Sequence, residues 1–253
     1  MKKKTINIIA YLLLIGLGTL MARQDLGIQV FPVFGEAKRI GLGLILVPLM
    51  GILYGPILGA VGALAMAYFG QMLSPITAFA GPYTFVMAPL IALSCAWIKK
   101  RNWILSLLLA LAVIGFWYYK VPADLNTGSL ALIFTLSVLA YTIVAGVYGT
   151  GFTTSDNYFV QVMGFLIVVL AGMHVGVFIA ATLSVGYYEL PAFMWENMNT
   201  YTFLSIAYIF SFVALLPVLL FKILLPNFGF VLGKEYFWKD HGKLAKKREL
   251  HDR

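Results

Sequence analysis

Long apolar stretches separated by short polar connections dominate the chain and define its predicted elements. Eight stretches can be delimited, at residues 6–22, 40–54, 57–73, 82–98, 103–119, 128–148, 160–185 and 203–225. Most are long enough to cross about 30 Å of hydrocarbon at about 1.5 Å per residue. They are continuous rather than alternating, which argues against an outer-membrane barrel. The pattern therefore predicts an all-α, polytopic membrane helix bundle of about eight transmembrane segments.

The second and third stretches form a special case, because a single helix over 40–73 would be about 51 Å long and too long to cross once. Pro56 follows Gly55 in the middle of this region. A proline inside a helix removes one backbone hydrogen bond and clashes with the preceding turn. We therefore expect a hairpin of two short helices joined at this pair.

A small residue recurs at every fourth position through the same hairpin, in a row formed by Gly51, Gly55, Gly59, Ala63 and Ala67. In lipid, small side chains let helix backbones approach closely, and that approach drives helix association. The row therefore marks packing surfaces. Two interpretations stay open: internal packing against a neighbouring helix, or an interface with another subunit.

The first stretch could be mistaken for a signal peptide, since Met1 and three lysines precede it. Cleavage after Ala22 would place Leu20 at the −3 position, where a small residue is required. We expect a retained helix.

Charge distribution predicts the orientation. Only 11% of the residues are charged, against about 25% in soluble domains. With a cytoplasmic N-terminus and eight crossings, 14 of the 18 Lys and Arg residues fall inside, at 2–4, at 99–101 and from Lys222 onward. This distribution agrees with the positive-inside rule. It indicates that the basic residues behind the net charge of +8 set the orientation in the membrane and do not form a nucleic-acid-binding surface. We predict a multi-pass cell-membrane protein with both termini cytoplasmic.

Domain organisation follows from the same pattern. We expect residues 1–230 to form a single transmembrane domain and residues 231–253 to form a basic cytoplasmic tail. The tail can be a solvated extension attracted to anionic lipid headgroups. It can also be a docking site for a cytoplasmic partner.

Motifs of enzymes and metal sites are missing from the sequence. Cys95 is the single cysteine, so neither a disulfide nor a cysteine-based metal site can form. We find no His or acidic pair at ligand spacing and no nucleophile, Walker or dinucleotide motif. His174 lies near the centre of the seventh stretch. A histidine inside a membrane is a candidate functional residue, although a neutral ring bonded to a neighbour is an equally simple interpretation. We predict no enzymatic activity, no metal and no cofactor.

The predicted outer connections carry aromatic and polar side chains together. They include residues 23–39, the stretch LSPITAFAGPY, the end of the fifth segment, and YYELPAFMWENMNTY. Aromatic walls with a few polar groups suit a pocket for a small molecule. Tyrosine and tryptophan also gather at membrane interfaces as anchors, so both interpretations stay open on the residues alone.

Residues 40–101 resemble the substrate-binding S components of energy-coupling factor vitamin transporters. The resemblance rests on a short second helix, the turn LYGP, a Gly/Ala-rich third helix, a loop with glycine and proline, and a fourth helix closed by Lys99, Lys100 and Arg101. It implies a six-helix core, to which this chain would add a pair of helices. The small-residue pair in the first helix is Gly18 and Ala22, where that family usually has two alanines.

The resemblance implies a function. S components capture a vitamin or related molecule from outside and associate with a membrane coupling subunit driven by two ATPases. The implied substrate-binding residues are Glu36, Lys38, Arg39, Tyr83, Trp117, Asp124 and Asn126. Lys38 or Arg39 would pair with an anionic group of the ligand, and Trp117 and Tyr83 would stack on a ring. The small-residue row would form the partner interface.

Two other classes of function remain. The chain could be a structural or accessory subunit of a larger membrane complex, with the small-residue row and the basic tail serving assembly. It could also be a self-contained channel or carrier that uses His174.

Overall fold

The computed structural model shows helices packed around one central helix, with a short β-hairpin near one end. It describes residues 3–23, 26–33, 36–75, 82–121, 129–186 and 192–227. Side chains are described within these ranges except at 3–4, 28–39, 129–130, 192–204 and 227. The predictions for Asp124, for Asn126 and for the tail at 231–253 lie outside the described residues.

Helices account for most of the described chain. The elements are α1 (Lys3–Leu20), β1 (Ile28–Val33), β2 (Glu36–Ile40), a 3-10 turn (Leu42–Leu46), α2 (Val47–Leu73), a 3-10 turn (Thr84–Val86), α3 (Met87–Lys99), α4 (Trp103–Lys120), α5 (Ser129–Val144), a π-helical turn (Ala145–Gly149), α6 (Thr150–Thr153), α7 (Tyr158–Gly186), α8 (Ala192–Leu219), a π-helical turn (Leu220–Leu224) and α9 (Leu225–Asn227). Within the described residues, the predicted apolar stretches overlap these helices, and the stretches 40–54 and 57–73 share α2.

Within the described ranges, five helical segments are long and apolar enough, by length and composition alone, to cross a membrane. They cover Leu42–Leu73, which contains the non-helical residue Gly55, and Trp103–Lys120, Ala131–Thr153, Tyr158–Gly186 and Ser205–Leu224. Thr5–Leu20 and Thr84–Lys99 form shorter apolar helices. Large aliphatic side chains cover the outward faces of the peripheral helices; Leu13 on α1 is 67% exposed and Ile104 on α4 is 60% exposed. These helices support a multi-pass helical membrane bundle, as the sequence predicts.

The hairpin predicted at Gly55–Pro56 is present within α2. Gly55 has φ 80° and ψ −175°, a conformation outside any helix. A Cβ atom built on Gly59 would lie 2.7 Å from the carbonyl oxygen of Met50 and 2.8 Å from Cα of Gly51. Residues 51 and 59 would be about 12 Å apart along a straight helix, so the chain folds back on itself. We call residues 47–54 the first limb and residues 56–73 the second limb.

The small-residue row lies largely inside this fold. A methyl group on Gly51 would overlap the carbonyl oxygen of Ala92 on α3, and Gly59 packs against the first limb. Ala63 is fully buried and Ala67 half-buried. These contacts fit the interpretation of the row as an internal packing surface, and the interpretation as a partner interface stays a prediction.

Two hydrogen bonds join α1 to the second limb and fix their relative direction. Tyr11 Oη on α1 donates to the Leu58 carbonyl at 2.8 Å, and Thr19 Oγ1 donates to the Met66 carbonyl at 3.5 Å. The second limb therefore runs parallel to α1. The first limb runs in the opposite direction to the second limb, because the chain reverses at Gly55.

The central helix is α7, which is buried at nearly every position from 164 to 185. Its glycines allow close contact with α3: Gly172 faces Cys95 and Ile91, and Gly176 faces Ile91 and the Met87 carbonyl. Later positions on α7 thus face earlier positions on α3, and the two helices are antiparallel.

The bundle has two ends that differ in the elements they contain. At the basic end, α3 finishes with Lys99 and is followed by Arg101; Thr150 Oγ1 donates to the Ile98 carbonyl at 2.7 Å, and Lys99 Nζ donates to Thr153 Oγ1 at 3.3 Å. At the other end, which we call the cavity end, α1 finishes, the first limb begins and α3 begins. The start of α1 therefore lies towards the basic end.

A β-hairpin precedes the first limb, in a connection that the sequence analysis treated as a loop. β1 and β2 are antiparallel, with Ile28 paired to Ile40 and Val33 to Glu36, and with an irregularity between Gln29 and Pro32. The segment IQVFPV is rich in β-branched and aromatic residues, which favour strands. The hairpin ends at Ile40, so the chain continues from it directly into the cavity end.

Candidate functional site

A small cavity of about 60 Å³ lies at the cavity end, between the last turns of α1 and the second limb, the beginning of the first limb and the beginning of α3. Its walls are mostly apolar. They comprise Gly18, Ala22, Ile40, Gly41, Gly43, Leu44, Val47, Met66, Ala67, Gln71, Thr84, Phe85, Met87 and Ala88.

Close backbone contacts shape one side of this cavity. A Cβ on Gly41 would lie 2.8 Å from Cα of Ala22, and one on Gly43 would overlap the carbonyl oxygen of Gly18. Only glycine lets the entry of the first limb approach α1 so closely. The wall is therefore built of backbone and small groups, and larger side chains at these positions would displace it.

The polar side chains in the lining are those of Gln71 and Thr84. Gln71 Nε2 donates to the Pro82 carbonyl at 2.6 Å, so its amide oxygen is oriented by a bond to the turn before α3. Thr84 is 7% exposed. The lining residues include no charged side chain. The cavity thus offers an uncharged, mainly apolar surface with two hydrogen-bonding groups.

The cavity volume limits what fits in this conformation. Pockets for drug-sized ligands measure roughly 300–1,000 Å³, whereas about 60 Å³ has room for a few water-sized groups. The walls would therefore have to move apart at the mouth of the cavity to admit a vitamin-sized molecule.

The predicted site residues fall in different places around this cavity. Tyr83 is 53% exposed and directly precedes Thr84, and its ring centroid lies 6.5 Å from that of Phe85, a lining residue. Glu36, Lys38 and Arg39 belong to β2, whose last residue, Ile40, lines the cavity. The structure thus brings the backbone of β2 and the side chain of Tyr83 to the same end.

Trp117 occupies a different environment. It is 1% exposed on α4, and its ring centroid lies 5.4 Å from that of Phe178 on the central helix. It does not line the cavity. In this structure the indole serves as core packing between α4 and α7, and the ligand-stacking role inferred for it from the resemblance stays a prediction.

Gln71 and Thr84 were missed by sequence reasoning. A signal for Gln71 was present, because it occupies the next position of the four-residue row after Ala67. The row of small residues lies on a face that packs against a neighbouring helix. A polar residue at the next position of that row is therefore expected to contact the neighbouring helix as well. No comparable pattern marks Thr84, which enters the wall because a 3-10 turn precedes α3.

His174 lies away from this cavity, in the middle of α7 and completely buried. Its ring centroid is 4.5 Å from that of Tyr141 on α5 and 5.0 Å from that of Tyr208 on α8. Among the residues with described side chains, no group of three or more His, Cys, Asp or Glu could hold a metal ion. The histidine therefore belongs to an aromatic and hydrogen-bonding cluster of its own.

Comparisons with protein-family models, with curated proteins and with solved structures find no match to this chain. The helical membrane bundle, its cavity and the resemblance over residues 40–101 are thus the observations from which a function can be proposed.

Proposed function

We propose that the chain is the membrane substrate-binding subunit of an energy-coupling factor uptake transporter, and that it captures a vitamin-like small molecule from the outer side. One observation carries this proposal: the cavity is built mainly by the region that resembles S components. Eleven of its 14 lining residues lie within 41–88 of that region, together with Ile40 at its start. Fold and resemblance thus point to the same part of the chain.

The ligand would enter between the β-hairpin and the turn at Pro82–Tyr83. Gln71 and Thr84 would supply hydrogen bonds to its buried part, and the apolar walls would cover the remainder. Lys38 or Arg39 on β2 would pair with an anionic group at the mouth, where Tyr83 would stack on a ring. Glu36, Asp124 and Asn126 complete the proposed set, and Trp117 would act by fixing α4 against the core.

A coupling subunit would need an accessible surface. Gly51 and Gly59 face other parts of this chain, whereas the outward face of the second limb exposes Ile57, Val61 and Met72 by 56% or more. We propose that the small-residue row shapes the hairpin and that this outward face, in lipid, meets the coupling subunit.

Co-purification tests the proposed function against the accessory-subunit alternative. The full chain is extracted in mild detergent with its native partners, which are identified by mass spectrometry. We expect one membrane coupling protein and a pair of ATPases. A large assembly of unrelated enzymes without an ATPase pair would instead support the structural role. Substrate transport by the purified chain alone in liposomes, without ATP, would support a self-contained carrier.

Orientation can be tested with single cysteines, because Cys95 is the single cysteine and is fully buried. In a Cys95→Ala background, Tyr83→Cys lies at the cavity end and Arg101→Cys at the basic end, and both native side chains are exposed. A membrane-impermeant maleimide should label position 83 in intact cells and position 101 only after permeabilisation. The reverse pattern would place the cavity end in the cytoplasm and refute capture from outside.

A further inference from the structure

His174 on the central helix presents a hydrogen-bonding atom in the core. The side chain is completely buried, and Nδ1 lies 2.8 Å from the carbonyl oxygen of Leu170, one turn earlier. A carbonyl oxygen only accepts, so Nδ1 carries the proton. In the neutral ring Nε2 is then an acceptor with a free lone pair. A charged ring would be costly at this depth among apolar helices.

Nε2 of His174 has no hydrogen-bond partner among the protein atoms that the structure describes. Burial of an acceptor removes its hydrogen bonds to water, and this desolvation destabilises the fold when no other donor replaces the water. Such groups are uncommon in folded proteins and require a specific explanation.

The two tyrosines against the histidine hold a complementary group. Tyr141 Oη and Tyr208 Oη lie 2.8 Å apart and share one hydrogen bond. Two hydroxyls carry two hydrogens, and one bond uses one of them. A donor hydrogen is therefore left over on a pair of tyrosines whose rings contact the ring of His174.

We propose that this cluster of His174, Tyr141 and Tyr208 is a binding site for one water molecule. The water donates to Nε2 of His174 and accepts the spare hydrogen of the tyrosine pair. It thereby ties α5, α7 and α8 together inside the bundle. Water fits the chemistry because the site offers one acceptor and one donor, and because the three rings contact one another and so exclude a larger molecule. Among the residues with described side chains, no group of three or more His, Cys, Asp or Glu could hold a metal ion, and the lone pair of Nε2 would repel an anion.

The imidazole and the tyrosine pair supply two hydrogen bonds, which is the lower end of the two to four that a buried water makes. The site is separate from the cavity, whose lining includes none of these residues, and it does not depend on the proposed transport function.

Nitrogen NMR of the full chain in lipid vesicles tests the site directly. The chain has three histidines, and the other two, His241 and His251, belong to the tail; the signals lost in His174→Phe identify the buried ring. We expect a protonated Nδ1 and an unprotonated Nε2 with a through-space contact to a water proton that disappears in D₂O. Tyr208→Phe should weaken that contact. A proton covalently bound to Nε2, or an Nε2 without any contact to water, would overturn the proposal.

Thermal unfolding supplies a second readout. His174→Phe and Tyr208→Phe should each lower Tm by roughly 2–8 °C, and the double variant should lose little more than the larger single loss, because both changes remove the same water. Tyr148→Phe is the matched control, since Tyr148 is 53% exposed, and its Tm should stay within about 1 °C of the native chain. If no water binds Nε2, His174→Phe should leave Tm unchanged or raise it, and that result would contradict the proposal.

Discussion

Replacing Gly55 with alanine is expected to lower the free energy of unfolding by about 1–3 kcal/mol, which corresponds to a fall in Tm of roughly 2–12 °C. Gly55 has φ 80° and ψ −175°, a backbone region that is essentially confined to glycine. A Cβ at this position strains the turn between the limbs. The limbs then separate, and the contact of Gly59 with Gly51 is lost with them. Thermal unfolding of the purified chain in detergent measures the effect.

Gly115→Ala is the matched control for this change. Gly115 lies within α4, where a Cβ would meet nothing within 4 Å. Alanine also has the better helix propensity, so Tm should stay the same or rise slightly. If the two variants had the same Tm, the fold-back at Gly55 would be wrong, and the cavity that depends on it would be wrong as well.

Ala67→Leu is expected to weaken ligand binding by roughly 5- to 150-fold, the factor that corresponds to about 1–3 kcal/mol of overpacking. Ala67 lines the cavity and is half-buried. The added carbon atoms would project into a space of about 60 Å³ and take the place of the buried part of the ligand. Binding is measured by titration with whichever ligand the native chain binds.

The control for this variant is Ala112→Leu, because Ala112 is exposed on the outer face of α4. It adds the same carbon atoms away from the cavity, so the affinity for the ligand should not change. Equal affinities in the two variants would place the ligand somewhere other than this cavity. A fall in Tm for Ala67→Leu without a change in affinity would lead to the same conclusion.

Much of the helical architecture could be predicted from the sequence, because apolar stretches in a membrane protein must satisfy their backbone groups within each helix. The break at Gly55–Pro56 was predictable for a similar reason: proline cannot continue a helix and 40–73 is too long to cross once. These are local constraints, which a single sequence expresses directly.

The β-hairpin and the cavity depend on contacts between distant parts of the chain. The pairing of Ile28 with Ile40 brings together residues within a connection that the helical prediction treated as a loop. Trp117 shows the same limit, since an aromatic residue near a helix end can anchor at the interface, stack on a ligand or pack in the core. Its contact with Phe178 in α7 depends on how α4 and α7 are placed, which no local pattern specifies.

The sequence predicted that the small-residue row is a packing surface, but it did not predict what the row packs against. A four-residue period places Gly51 and Gly59 on packing faces, yet it does not distinguish a neighbouring limb from another protein. The fold-back at Gly55 makes the two limbs each other's neighbours. The sequence therefore predicted the type of contact, and the structure supplied its partner.

The central claim is that this chain binds a vitamin-like molecule at its cavity end, and thermal unfolding of the purified native chain against a vitamin panel tests it most directly. At a ligand concentration 100 times the Kd, binding adds about 2.7 kcal/mol of stability, so one member of the panel should raise Tm by roughly 5–11 °C. Ala67→Leu should show a much smaller rise at the same concentration. If no member raised the Tm of the folded native chain at saturating concentration, the account of this protein as a substrate-binding subunit would be contradicted.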